Sequence, residues 1–252
     1  MAGRAKILAF HQTSQKFYPG INNIRPGYFF FILELLKNFG FNFIGVRQYL
    51  NGEEDNEKTL AISFDDGYAD NYDVISRLCC ENIAPFVFIP TDYIGQSNSW
   101  DYSSSLFKTR HCTAKQLKVL AQKGAVIGSH GKSHRAFTRM TESELDSELK
   151  MSKIVLQNIT GEETNLLSYP FGRTNQRVNK LAKECGYRYG FCLDSPKSYN
   201  ILPEDFIIYR TPIYSCDDYF SLYSKIAEDS PFESFKNIIV NNLSGGTIIT
   251  SK

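Results

Sequence analysis

The sequence predicts an α/β protein in which strands and helices alternate around a parallel sheet. Two observations lead there. Short apolar runs alternate with longer amphipathic stretches along most of the 252 residues. The chemically distinctive residues then fall where apolar runs end, which is where such folds keep their sites. In chain order, the runs read as strands are 5–10, 42–46, 59–64, 85–89, 125–128, 166–169 and 189–193, with one more apolar run just before Tyr209. The stretches read as helices are 26–38, 69–82, 113–123, 141–160 and 175–185. The helix at 141 is the best marked. Thr141-Glu-Ser-Glu144 forms a capping box, Leu145, Leu149, Ser152 and Leu156 recur at helical spacing, and Gly161 stops the pattern. Nothing resembling a linker, repeat or low-complexity segment divides the chain, so residues 1–252 are read as one domain. Periodicity leaves open whether the strands close into a barrel or stay an open doubly wound sheet.

Composition narrows the partners. With 28 Lys plus Arg against 27 Asp plus Glu, the net charge is +1, which gives neither nucleic acid nor an anionic membrane surface an electrostatic footprint to bind. The longest apolar runs, such as 28–36, fall well short of the roughly 20 residues of a membrane-spanning helix, and the basic amino terminus lacks the apolar core of a signal peptide. Six cysteines without CxxC spacing read as reduced and mostly buried thiols. Together these features point to a soluble, cytoplasmic protein and leave its oligomeric state open.

Four strand ends carry chemistry. Asp65-Asp66-Gly67 follows the run Thr-Leu-Ala-Ile-Ser-Phe, and adjacent carboxylates repel unless a cation compensates; alone, the same tripeptide is also an ordinary Asp-Gly turn. Gly128-Ser129-His130-Gly131-Lys132-Ser133-His134 places two of the four histidines four residues apart after Ala-Val-Ile. One helical turn would put both imidazoles on one face, able to share a metal. One carboxylate and two imidazoles suit Zn(II) with positions left open for water and substrate, and the second carboxylate is then free to act as a base. Ser168-Tyr169-Pro170-Phe171-Gly172 can turn a main-chain amide toward a developing oxyanion. His11 ends the first strand, where an imidazolium could protonate a leaving amine. His111 lies in a polar loop with no such argument.

In this order the motifs resemble the polysaccharide deacetylase family, the NodB-type carbohydrate esterases of family 4, over nearly the whole chain. Ser63-Phe64-Asp65-Asp66-Gly67 is similar to the family's T/S-F-D-D-G motif; the resemblance implies that Asp65 is the catalytic base and Asp66 a metal ligand. His130 to His134 resembles the H-S/T-x-x-H motif, with Gly131 in place of Ser or Thr, and implies two more ligands. Tyr169-Pro170-Phe171-Gly172 resembles R-x-P-Y/F-G with Ser168 where the arginine belongs, implying an oxyanion contact from the Phe171 amide. Arg210 is the candidate to replace the missing arginine, with a surface ion pair as its alternative reading. The family's final L-x-H motif is absent from Gly246-Thr-Ile-Ile-Thr-Ser-Lys252, whereas Leu8-Ala9-Phe10-His11 fits the circularly permuted branch that includes poly-N-acetylglucosamine deacetylases.

The resemblance implies a distorted (β/α)7 barrel and a divalent metal, Zn(II) ahead of Co(II) or Ni(II). The expected reaction removes N-acetyl groups from a sugar in a glycan or glycan precursor and releases acetate, with Tyr68, Trp100 and Phe171 available to stack on sugar faces. Two alternatives stand beside it: a cyclic amide or O-acetyl ester hydrolase on the same fold, and a catalytically inactive glycan-binding protein.

Overall fold

The computed structural model describes residues 5–18, 20–53, 56–100, 108–193 and 206–227. The carboxyl-terminal run 246–252 and part of the expected 1–252 domain lie outside these residues. Seven parallel strands close into a barrel: β1 (Lys6–Phe10), β5 (Thr59–Phe64), β6 (Phe86–Ile89), β7 (Val126–Ser129), β8 (Leu166–Ser168), β9 (Tyr189–Leu193) and β10 (Ile207–Pro212), while the short β2 (Gln12–Thr13) and β3 (Asn23–Ile24) pair with each other outside it and β4 (Asn42–Phe43) lies on its edge. Closure is made by β1, which pairs with β10 on one side and with β5 along its full length on the other, Lys6 opposite Leu60 through Phe10 opposite Phe64. The ring is uneven. The β7–β8 seam has a single register pair, Ser129 with Leu167.

The barrel is filled, and ring contacts across it show with what. Phe86 of β6 and Phe191 of β9 have two strands between them around the ring, yet their centroids lie 5.1 Å apart, and Phe88 lies 5.0 Å from Phe191. Ile7, Val46, Ala61 and Leu166 complete the buried part of this cluster. Each fully buried Phe is worth about 1.5–3 kcal/mol of transfer free energy, so the three rings form a stable floor beneath the carboxyl ends of the strands.

Helices cover the outside. The first, α1 (Pro26–Asn38), starts with Pro26 in the first turn, where its missing N–H costs nothing, and buries Phe29, Ile32, Leu33 and Leu36. The others include α3 (Tyr72–Cys80), α4 (Ala114–Gln122), α5 (Glu142–Thr160), α6 (Gln176–Glu184) and α7 (Tyr219–Ala227). In α5, Thr141 caps the first turn as expected and Gly161 ends the helix at φ +74°.

Three expectations need correcting. The run 42–46 is not a stave of the barrel. Only β4 (Asn42–Phe43) is extended, pairing with Thr59 and Leu60 on the edge of β5 whose later residues take β6, and the chain then turns into the short helix α2 (Val46–Leu50). The seventh stave is β10, the run expected to end before Tyr209, which instead continues as strand through the buried Arg210 to Pro212. The cysteines are not mostly buried either: Cys112 and Cys192 are, while Cys80 and Cys216 are exposed.

Candidate active site

Asp65 and Asp66 leave β5 at the barrel mouth in a tight turn. The Asp65 amide donates to the Phe10 carbonyl (2.9 Å), extending the β1–β5 ladder by one bond, and the Gly67 amide donates back to the Asp65 carbonyl (2.9 Å). Asp66 (φ +66°) and Gly67 (φ +62°) are both left-handed. Aspartate tolerates that region better than most residues, but at Gly67 a Cβ would also stand 2.5 Å from Ile89 Cδ1, so only glycine fits.

The two carboxylates have different neighbours. Asp65 receives Arg210 bidentately, Nη1 to Oδ1 at 2.7 Å and Nη2 to Oδ2 at 2.8 Å. Burial pushes the Asp65 carboxyl up, but the Arg210 guanidinium and, more weakly, His130 outweigh it and hold it below the usual carboxylate range. Asp65 is therefore ionised at neutral pH. Arg210 is wholly buried, with its guanidinium 5.0 Å from the Phe88 ring centroid, and donates to Ser168 Oγ (2.8 Å) and Ser63 Oγ (3.2 Å). The alternative reading of Arg210 as a surface ion pair is thus corrected. Ser168 occupies the space beside Asp65 as a small hydroxyl, 3.4 Å from both carboxylate oxygens.

Asp66 faces the histidines. Its Oδ1 lies 3.1 Å from His134 Nε2 and 3.6 Å from His130 Nε2. Burial raises the Asp66 carboxyl, yet His134 and the other imidazoles bring it well below its ordinary value. The two histidines do not share a helical turn, as their spacing had suggested; residues 130–134 form a loop, with His134 itself left-handed at φ +58°. Glu148 of α5 shapes that loop. Its Oε2 accepts from the amides of Lys132 (2.7 Å) and Ser133 (2.9 Å), and its Oε1 from Ser133 Oγ. Gly131 (φ +76°) lets the backbone pass where a Cβ would come within 2.7 Å of the Phe137 ring. Sequence reasoning passed over Glu148, although an acid on the buried face that carries Leu145, Leu149, Ser152 and Leu156 was a signal in itself.

The remaining expected residues divide. His11 follows β1, its Nδ1 is buried without a hydrogen-bond partner among the described residues, and it is near enough that its positive form lowers both Asp65 and Asp66. Phe171 (φ +61°) sets its ring 5.0 Å from His134. Tyr169 contributes packing: its side chain is buried against Phe137 and its hydroxyl donates to Asn179 Oδ1 (2.8 Å), so it does not face a substrate. Trp100 lies nearly parallel to His134, centroids 4.1 Å apart at 22°, so His134 sits between Trp100 and Phe171. Tyr68 is buried and accepts from Asn98, leaving Trp100 as the half-exposed aromatic wall. His111, expected in a polar loop, is buried, and burial pushes it down to about 4.

The three facing groups suit a divalent cation. His130 Nδ1 stands 2.8 Å from the Ser168 carbonyl, which can only accept; the ring is neutral, burial pushing it down to about 4, so Nε2 carries a lone pair. That lone pair faces the buried Asp66 Oδ1, whose near polar neighbours among the described residues include the two imidazoles. The ligand atoms of Asp66, His130 and His134 lie within 4.8 Å of one another, the one such cluster among the described residues. In a tetrahedral zinc site with bonds near 2.0–2.1 Å, ligand atoms stand about 3.3 Å apart, a value the observed 3.1 and 3.6 Å bracket.

A seven-stranded parallel barrel with an ionised aspartate beside a carboxylate–histidine–histidine cluster at its mouth defines a hydrolase-like class of site. The model of the polysaccharide deacetylase family matches residues 52–190, more than half of the sequence, and the chain belongs to that family. YxkH of Bacillus subtilis (strain 168) is 33% identical over 135 residues, covering 53% of this chain and 44% of YxkH. The peptidoglycan-N-acetylmuramic acid deacetylase PdaA of the same organism is 28% identical over 139 residues, covering 54% of this chain and 46% of PdaA. The matches thus span less than half of either relative. Among solved structures, the Streptococcus pyogenes deacetylase PplD in complex with acetate superposes with a TM-score of 0.70 at 20% identity, covering 90% of this chain and 99% of that one. IcaB from Ammonifex degensii gives 0.69 at 15% identity, covering 89% and 96%. These two likenesses establish the barrel fold.

Proposed function

We propose that this chain is a metal-dependent hydrolase that removes N-acetyl groups from a sugar in a glycan or glycan precursor, leaving a free amine and acetate. The observation that carries the reading is the convergence of Asp66, His130 and His134 beside an Asp65 kept ionised by Arg210. Asp66, His130 and His134 would hold the ion, Zn(II) being favoured by one oxygen and two imidazole nitrogens over Co(II) or Ni(II). When bound, such an ion supplies a Lewis acid that polarises the acetyl carbonyl and acidifies water.

The chain's own groups do the rest. Asp65 accepts the proton of the attacking water, and Arg210 fixes the plane of its carboxylate. The Phe171 amide donates to the oxygen that gains charge, presented by the left-handed backbone at that residue. His11 Nδ1 protonates the departing nitrogen. Supplying this acid from the amino-terminal strand matches the circularly permuted arrangement, which the pairing of β1 with both β5 and β10 supports. PdaA's name specifies an N-acetylated sugar, which favours the amide over an ester or a cyclic amide.

Acetate release from N-acetylhexosamine oligomers, measured beside xylan acetate and cyclic ureides with zinc and after chelation, tests the reading. Zinc-dependent acetate from the first substrate alone is expected. Release only from xylan acetate, ring opening of the ureides, or glycan binding without turnover and without sensitivity to Asp65→Asn would overturn it.

A further inference from the structure

His111 has no part in that chemistry, yet it is buried to 2% exposure against the metal-site loop. Its Nδ1 lies 2.7 Å from the Asp66 carbonyl. A carbonyl only accepts, so Nδ1 carries the proton and donates. The ring sits among Tyr68, Tyr93 and Trp100, with centroids 4.9, 5.4 and 4.9 Å away. In that aromatic box Nε2 finds no hydrogen-bond partner among the described residues.

An unpaired buried ring nitrogen is destabilising, a penalty that a phenylalanine filling the same box would avoid. What the histidine adds is one bond, to the carbonyl of a residue held at φ +66°. Neighbouring main-chain bonds act on the same turn: the Cys112 amide donates to the Gly67 carbonyl and the Ala69 amide to the Arg110 carbonyl, both at 2.8 Å. Residues 110–112 therefore grip the turn at three points, and His111 holds the point at the ligand itself.

We propose that His111 is a positioning residue whose Nδ1–H holds the Asp66–Gly67 peptide in its left-handed turn, keeping the Asp66 carboxylate on the His130 and His134 imidazoles and so tightening metal binding. The inference rests on the reading of those three residues as a metal site.

Calorimetric zinc titration of the wild type and of His111→Phe, His111→Asn and His111→Gln, with the melting temperature of each metal-free protein, tests it. Asparagine places an N–H close to the Nδ1 position, whereas glutamine places one near Nε2. The asparagine variant is expected within about threefold of wild-type affinity, and the phenylalanine and glutamine variants about 10–100-fold weaker. If the phenylalanine variant does not fold, the contrast between asparagine and glutamine decides. Equal affinity in those two, a phenylalanine variant that binds as the wild type does, or failure of both amide variants to fold would overturn the role of His111. A wild-type protein that takes up no zinc would instead overturn the metal reading, and this inference with it.

Discussion

At the scale of single residues, the site depends on which partner each buried charge receives. Asp65 and Asp66 are adjacent, nearly inaccessible and both ionised, one because of an arginine and the other because of imidazoles. Replacing Arg210 with methionine keeps the bulk on Phe88 and strands the Asp65 charge, so a loss of about 3–5 kcal/mol at pH 7 is expected. The sign of its pH dependence follows. In the wild type the depressed Asp65 carboxyl contributes stability above the unfolded value, near 3.9, which is lost as pH falls through the folded value. In the variant the carboxyl is raised by burial, so acid relieves the penalty. Urea unfolding at pH 7 and pH 4.5 should show the deficit shrinking at the lower pH; a constant gap would count against the pairing. Asp65→Asn keeps the shape but cannot take a proton, so acetate release should fall at least about 10²-fold while calorimetric zinc affinity stays near wild type.

At the scale of elements, strands carry the candidate reacting groups and the helix behind them sets the loop geometry. Three of the four non-glycine residues with positive φ among the described residues are Asp66, His134 and Phe171, all at the mouth, so conformational strain is concentrated where the ligands converge. Helix α5 sustains one of these turns through Glu148. It sustains Ser129 as well, through the Ser152 hydroxyl at 2.8 Å. Glu148→Ala leaves two amides and a hydroxyl of the 130–134 loop without their acceptor, and zinc affinity measured against a competing chelator should fall about 10–100-fold. Gly131→Ala should reproduce part of that loss, because its Cβ meets Phe137. Strand and helix positions were legible in the sequence wherever apolar runs were unbroken, as in β5, β9 and α1. In β10 the run before Tyr209 was legible but its continuation through the inward Arg210 to Pro212 was not, nor was the conformation of 130–134, where histidine spacing imitates a helical turn that glycine and Glu148 replace with a loop.

For the whole molecule, closure of β1 against β5 and β10 brings residues as distant in the chain as His11, Asp65, His130, Ser168 and Arg210 to one mouth. No helix among the described residues is long and apolar enough to cross a membrane. Binding at such a shared site should stabilise the entire barrel. At a free zinc concentration of 100 times Kd the gain is about 2.7 kcal/mol, which for a chain of this size corresponds to about 5–10 °C in Tm. Calorimetry with zinc and with chelator should show that shift, and Asp66→Ala should abolish it. Trp100, the one tryptophan in the sequence, lies against His134, so Co(II) or Ni(II) should quench its emission saturably in the wild type and leave Asp66→Ala unchanged.

The sequence by itself determined the alternating α/β plan and the four strand-end motifs, because burial imposes apolar runs and an acid pair or histidine pair is visible at short range. Only the tertiary structure decided that Arg210 lies inside the barrel on Asp65, that Tyr169 packs inward, and that Glu148 and His111 bond to the turns carrying His134 and Asp66. Those contacts join residues far apart in the chain, and the energy of a buried charge or an unpaired ring nitrogen depends on neighbours that appear only once the barrel has closed.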